Sequence, residues 1–364
     1  MKIAFYGSSI LSSYWNGAAT YYRGLLQALS ELGHHITFFE PDVHDRQQHR
    51  DIDAPEWCRV VVYKPTTEAL RAVTSEAALA DVVIKASGVG FMDDVLLERV
   101  LNAAHPRALK IFWDVDAPAT LAELKADASH PMHRQIRRLD LVLTYGGGDP
   151  VVNTYRELGA ARCVPIYNAL DPEAHYPVSP DSRFVCDLAF LGNRLPDREA
   201  RVDEFFFRAA ALLPSQKFLL CGSGWGDKPR PTNVSYLGHL STRDHNAFNV
   251  TPRAVLNISR ESMAANGFSP ATRVFEAAGA GACLITDTWQ GLELFLTDGE
   301  EVLTARDGQE VAEILTWLTP AQAREIGQRA RARILRQHTY ARRAREVHQI
   351  LADCLRKPSM EVAR

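Results

Sequence analysis

No stretch of this 364-residue chain approaches the roughly 20 consecutive apolar residues that a membrane-spanning helix needs. The N-terminus reaches polar residues directly after Lys2 and the IAFYG run, too soon for a signal peptide. Cysteine is sparse and scattered, at positions 58, 163, 186, 221, 283 and 354, with no CxxC pair, which rules out a disulfide framework. Four of these thiols sit in or beside apolar, strand-like runs, as buried cysteines do in a reducing compartment, so a cytoplasmic location is expected. Positive charge is not in excess: 41 Lys and Arg stand against 44 Asp and Glu, and the formal charge of -3 gives no reason to expect nucleic acid as a partner. The turn after the first strand lacks GxGxxG, which disfavours NAD, and Gly222-Ser223-Gly224-Trp225-Gly226 lacks the lysine and Ser/Thr of a P-loop.

What is present is an α/β pattern laid down twice. A chain of this length exceeds the usual single core, so two domains are the default. In the first half, short apolar strands end repeatedly in Gly, Ser or Asp. Lys2 to Tyr6 leads to Gly7-Ser8-Ser9 and a helix from about Ala18 to Leu32; His35 to Phe39 is followed by Glu40. Asp81 to Lys85 delivers Ser87-Gly88, Leu109 to Trp113 delivers Asp114 and Asp116, and Leu139 to Thr144 delivers Tyr145-Gly146. Such strand ends face the crevice of an open parallel sheet, where ligands bind. The expected working edge carries Ser8, Ser9, Trp15, Asn16, Gly17, Ser87, Asp116, Tyr145 and Gly146. Asp114 and Asp116 have an alternative use as caps of the following helix.

Residues 169–182 hold three prolines and little periodicity and read as a linker between a domain at 1–168 and another at 183–339. In the second half, a strand from Cys186 to Leu191 leads through Gly192 and Asn193 to a helix reaching Ala211, with Arg194, Arg198 and Arg201 around its start. Basic residues there suit a bound anion, or else pair with Asp197, Glu199 and Asp203. Ser223 and Trp225 lie in a glycine-rich loop that either cradles phosphate or offers a stacking surface for a base. The stretch Asn266 to Asp287 organises this half: a loop, a helix opening near Pro270, an Ala-Gly-Ala-Gly turn, and a strand from Cys283 to Thr286. Arg273 and Glu276 share one helical face while Val274 and Phe275 turn inward. A ligand over the first turns meets amide donors, a guanidinium and a carboxylate, a set suited to a nucleotide sugar; the alternative is a surface ion pair. The 340–364 segment is a basic amphipathic helix, expected to return to the first domain, and its interspersed acids favour a solvated face over RNA or lipid binding.

These blocks together resemble the GT-B glycosyltransferases, and most of all the spore-coat CgeB-like or YkvP-like branch. The resemblance is carried by FYGSS at 5–9, FWDVDAP at 112–118, TYGGGD at 144–149, YNALDPEAHYP at 167–177, FLGNR at 190–194, FSPATRVFEAAGAGACLITD at 268–287 and GLELFLTDGEEV at 291–302. It implies two Rossmann-like doubly wound domains facing across a cleft and transfer of a sugar, without a bound metal or other cofactor, from a UDP-, TDP- or GDP-sugar to an unidentified acceptor. The implied donor set is Gly192, Asn193, Arg194, Arg198, Ser223, Trp225, Gly238, His239, Phe268, Ser269, Thr272, Arg273 and Glu276, with Glu276 on the ribose hydroxyls. Many retaining relatives carry another Glu eight positions earlier, where this chain has Phe268. This departure weakens the analogy to a retaining mechanism, and if the reaction inverts, Asp116 is the better placed general base, with Asp114 or His133 in reserve. A nucleotide-sugar epimerase or hydrolase, or a binding protein without activity, would use similar donor contacts.

Overall fold

The computed structural model describes residues 1–14 and 16–356 and divides into two compact units, Met1–Tyr167 with the C-terminal helix from Tyr340, and Asn168–Thr339. Trp15, one of the expected edge residues, lies outside the described residues.

The first unit is built on β1 (Lys2–Tyr6), α1 (Ala18–Glu31), β2 (His35–Pro41), β3 (Arg59–Tyr63), α2 (Thr67–Ser75), β4 (Val82–Ala86), α3 (Asp93–Ala103), β5 (Leu109–Asp114), α4 (Ala117–Ala126), α5 (Met132–Ile136), β6 (Leu141–Thr144), α6 (Gly148–Glu157) and β7 (Cys163–Pro165). Its seven strands are all parallel, in the order β3-β2-β1-β4-β5-β6-β7. Parallel strands covered by helices on both faces need side chains apolar on both faces, and β4 and β6 are buried at every position. α1 buries Tyr21, Tyr22, Leu25, Leu26 and Leu29 at helical spacing.

The second unit repeats the plan with β8 (Leu188–Leu191), α7 (Pro196–Val202), α8 (Arg208–Leu212), β9 (Phe218–Cys221), β10 (Val234–Tyr236), α9 (His245–Val250), β11 (Ala254–Asn257), α10 (Glu261–Asn266), α11 (Thr272–Ala280), β12 (Leu284–Asp287), β13 (Leu303–Ala305), α12 (Gly308–Trp317) and α13 (Pro320–Gln337). Its parallel sheet runs β10-β9-β8-β11-β12-β13. In both sheets the order reverses beside the first strand, between β1 and β4 and between β8 and β11, so each has a switch point at its C-terminal edge where a ligand crevice forms. α13 opens with a capping box, Thr319 with Gln322, and Pro320 in the first turn. The last helix, α14 (Tyr340–Arg356), lies against α1 of the first unit, where Gly24 leaves room for the Tyr340 ring.

Besides strand ends that shift by one or two residues, three details differ from the sequence expectation in the second unit. α11 opens at Thr272, two residues after Pro270, because Ala271 is still extended (φ -64°, ψ 151°), and its last turn takes in Ala278, Gly279 and Ala280 before Gly281 closes it at φ +83°. The strand after it is Leu284–Asp287, one residue later than expected. The helix expected to run through Phe205 is interrupted by a π-helical turn over Asp203–Phe207, which separates α7 from α8 while all three phenylalanines stay buried.

Candidate functional site

In the second unit, the loops after β8 and β9 are bound to each other. The Asn193 side-chain oxygen accepts the Ser223 amide at 2.9 Å, and Trp225 donates its indole N–H to the Gly192 carbonyl at 2.7 Å. Gly222 has φ +122°, and a Cβ there would stand 2.2 Å from the Gly192 oxygen, so only glycine fits. Trp225 is wholly buried, edge-on to Phe207, and is a core residue; it offers no face for a base to stack on. Gly238, at φ +75°, accepts the Gly222 amide at 2.7 Å, and His239 follows it exposed.

The three arginines near α7 divide by their partners. Arg194 is held by Glu199 at 2.7 Å and Asp227 at 3.0 Å, and together with Lys228 it pulls the Glu199 carboxyl down to about 2. Arg201 binds the buried Asp287 at 2.6 Å and Glu261 at 3.3 Å. Both are consumed by carboxylates, which corrects the reading of Arg194 as an anion receptor. Arg198 is different: among the described residues it faces no carboxylate at ion-pair distance, and its buried Nε has no hydrogen-bond partner. Burial, then Arg260 and Arg273 beside it, lower its pKa against the opposing pull of Asp197 and Asp287.

α11 supplies the rest. Val274, Phe275, Ala277 and Ala278 face the core, which leaves Arg273 and Glu276 together on the other face, 3.5 Å apart. Arg273 reaches the Asn249 side-chain oxygen at 3.4 Å, and His175 Nε2 lies 3.9 Å from Glu276. Burial pushes the Glu276 carboxyl up, but Arg273, His175 and His245 outweigh it and hold the group below its usual range, so it is a carboxylate at neutral pH. His245, desolvated and beside Arg273, is pushed down to about 4 and stays neutral. Around this face several buried polar atoms have no partner: Asn249 Nδ2, His175 Nδ1, Asn246 Oδ1 and Arg273 Nε, besides Arg198 Nε. Buried groups are seldom left so, and this face therefore offers donors and acceptors that a polar ligand could engage. Ser269 is buried and Thr272 partly exposed at the opening of α11, while Phe268, at φ +47°, is fixed by a hydrogen bond from its backbone N–H to the Gln290 carbonyl at 2.6 Å and by Gly291 packing on its ring.

In the first unit the loop after β1 is tied to a buried carboxylate. Glu40 accepts from Ser9 Oγ at 3.0 Å, from the Ile10 amide at 2.6 Å and from Gln47 at 2.6 Å. Asn16 donates to the Ser9 and Ser12 carbonyls and accepts from Ser8 at 3.0 Å. Ser8, Ser9 and Asn16 therefore build the loop, and Gly17 starts α1. Asp114 is fully buried and accepts from Ser87 Oγ (2.7 Å), Thr120 Oγ1 (3.0 Å), the Asp116 amide (3.0 Å) and the Tyr155 hydroxyl (2.5 Å). Burial raises its pKa against these donors, and with all of them engaged it is a structural hub without access to a substrate proton, which corrects its place in reserve. His133 is also spent, its Nε2 lying 3.1 Å from both the Leu124 and Asp127 carbonyls at the end of α4. Tyr145 packs edge-on against Tyr21, and Gly146 is buried behind it.

Asp116 stands at the N-cap position of α4, where its carbonyl accepts the Ala119 and Thr120 amides at 3.0 Å, but its side chain makes no capping bond. That side chain is exposed and lines a cavity of about 420 Å³ together with Ser87, Phe112, Thr120 and the buried Lys85. Among the described residues no group of three or more His, Cys, Asp and Glu could hold a metal ion. Sequence reasoning missed Glu40, Lys85, His175, His245 and Asn249. Lys85 left a trace, a charge inside an otherwise apolar strand, which must find a partner; Glu40 stood at a strand end and His175 within the 167–177 block without a role for either, and His245 and Asn249 lie in segments with no motif of their own.

A family model described as glycosyl transferase-like matches residues 198–349. No curated protein matches the chain. Among solved structures, the chain is similar to a sucrose-phosphate synthase from Thermosynechococcus elongatus, at 14% identity with a TM-score of 0.67 over 97% of this chain and 99% of that one. It is similar to Anabaena HepE in complex with UDP-glucose, at 16% identity and TM-score 0.66 over 97% and 100%. T4 phage BGT in complex with its UDP-glucose substrate matches at 11% identity and TM-score 0.61 over 98% and 100%. With matches of this extent and two parallel sheets of one strand order, the chain has the GT-B fold: two Rossmann-like α/β domains in succession.

Proposed function

We propose that this chain is a glycosyltransferase that moves a sugar from a nucleoside diphosphate donor to an acceptor hydroxyl without a bound metal, and that it belongs to the CgeB-like or YkvP-like branch. The observation that carries the reading is the group of unpartnered buried polar atoms on α7, α9 and α11, with Arg198 Nε and Arg273 Nε among them, beside the Glu276 carboxylate that pairs with Arg273. A nucleoside diphosphate supplies acceptors to the guanidinium groups and donors to the carboxylate. Its phosphate oxygens accept from Arg198, Arg273 and the amides opening α11, and its ribose hydroxyls donate to Glu276. The family-model match across 198–349 and the UDP-glucose complexes of HepE and T4 phage BGT support the same choice of ligand class.

In the transfer step the acceptor oxygen attacks the anomeric carbon as the bond from that carbon to the diphosphate oxygen breaks. The diphosphate leaves with the electron pair, and Arg198 and Arg273 stabilise the charge that develops on it. Asp116 takes the acceptor proton, and attack opposite the leaving group inverts the anomeric centre. The six free cysteines suit a reducing compartment, so we place the protein in the cytoplasm.

The test is to incubate purified protein with UDP-, dTDP- and GDP-sugars, with and without a pool of candidate acceptors, and to follow nucleotide diphosphate release. Release that requires acceptor is expected. Equal release without acceptor would mark a hydrolase, and no consumption of any donor would leave only a binding protein.

A further inference from the structure

The cavity of the first unit has a charge pattern that bears on what enters it. Its floor is apolar and buried, made by Leu97, Phe112 and Met132. Lys85 also reaches it, but that ammonium group is already neutralised by Asp93 at 2.6 Å and capped by the Ala86 carbonyl. The walls are two helix faces: on α3, Asp93, Asp94 and Leu97 at one-turn spacing, and on α4, Ala119, Thr120 and Glu123, with Asp116 just before them. Besides the Lys85–Asp93 pair the wall carries Asp94 and Glu123, with Asp116 beside them. The side chains of Asp94 and Glu123 are exposed and make no hydrogen bond or ion pair among the described residues. His130 is the one other titratable group of the lining.

We infer that this cavity takes a compact acceptor that carries a protonated amine on an apolar body. An apolar floor under an acidic rim binds the body by burial and draws the ammonium group to the carboxylates, while phosphorylated or carboxylated molecules are repelled. A volume of about 420 Å³ suits a small molecule and is too small for a folded partner. Held as an ammonium ion, the amine has no lone pair for attack, so a hydroxyl of the same molecule is the nucleophile and Asp116 its base. The role as acceptor rests on the glycosyltransferase reading; the preference for a cation rests on the cavity alone.

Three phenols of nearly one shape separate the possibilities: tyramine, 4-ethylphenol and 4-hydroxyphenylacetate, titrated calorimetrically onto the full chain at low salt with no nucleotide present. Tyramine should bind at least about tenfold tighter than 4-ethylphenol, with the anion weakest, and added salt should narrow the gap. In the D94N/E123Q double variant the difference should shrink to within about threefold, and the melting temperature should hold because both side chains are exposed. Failure of tyramine to bind, no advantage over the neutral phenol, or an advantage that survives the double variant would each overturn the inference. UDP titrated in parallel keeps the two readings apart. UDP binding without amine selectivity sinks this inference alone; amine selectivity without binding of any nucleotide sinks the transferase reading and leaves a cation site.

Discussion

Asp114 and Asp116 are two residues apart at the end of one strand and have opposite fates. Asp114 is sealed among four donors, whereas Asp116 is exposed at a cavity wall. Replacing Asp116 with Asn keeps the shape and removes the base, so turnover should fall at least about a hundredfold with donor affinity and melting temperature unchanged. Turnover within a few-fold of the parent, in initial-rate assays at saturating donor, would remove Asp116 from the chemistry. Glu276→Gln should weaken donor binding and turnover together, since a ribose contact acts in ground and transition states alike; parental values for both would return Glu276 to an ion-pair role. His34 supplies a pH test. It is buried, with its Nε2 2.9 Å from His348 Nδ1, and burial followed by nearby positive charge depresses its pKa from 6.5 to about 4. Because the folded state resists the proton more than the unfolded chain does, this contribution is complete above pH 6.5 and is lost as pH falls towards about 4. His245 acts in the same direction. The melting temperature should therefore drop between pH 7 and pH 5, with a shallower slope in His34→Gln, and a flat profile would contradict the burial. Residue roles were the least legible part of the sequence. Arg194, Arg198 and Arg201 look alike along the chain, and only folding brings Asp227 and Asp287 to two of them.

Elements were far more legible, because strand and helix follow from local pattern. The misses occurred where tertiary contact overrides that pattern. Trp225 amid glycines looks like an exposed loop residue, but the Gly192 carbonyl and Phe207 draw it into the core. Gly327 looks like a weak point in α13, yet it allows the helix to approach the end of α11: a Cβ there would lie 2.1 Å from the Gly281 oxygen. Gly327→Ala should cost roughly 1 to 3 kcal/mol through forced separation of the two helices, despite the better helix propensity of alanine. Denaturant unfolding checks this, and an unchanged or raised midpoint would show that the backbone contact is not tight.

At the scale of the molecule, the repeated strand, glycine turn and helix on either side of a proline-rich segment made a two-domain α/β protein readable from sequence, and both sheets follow one strand order. The unpartnered buried polar atoms of the second unit could not be read there, since each is defined by what surrounds it in space. They lead to the central claim, that this unit binds a nucleoside diphosphate through its own side chains and helix ends. Calorimetric titration of UDP, dTDP and GDP in the presence of EDTA tests it directly, on the parent protein and on Arg273→Ala. At least one of the three should bind the parent without metal, and the variant should bind it more weakly by about 1.5 to 3 kcal/mol, the worth of a hydrogen bond to a charged phosphate. No binding to the parent, binding only when a divalent cation is restored, or undiminished affinity in the variant would contradict it.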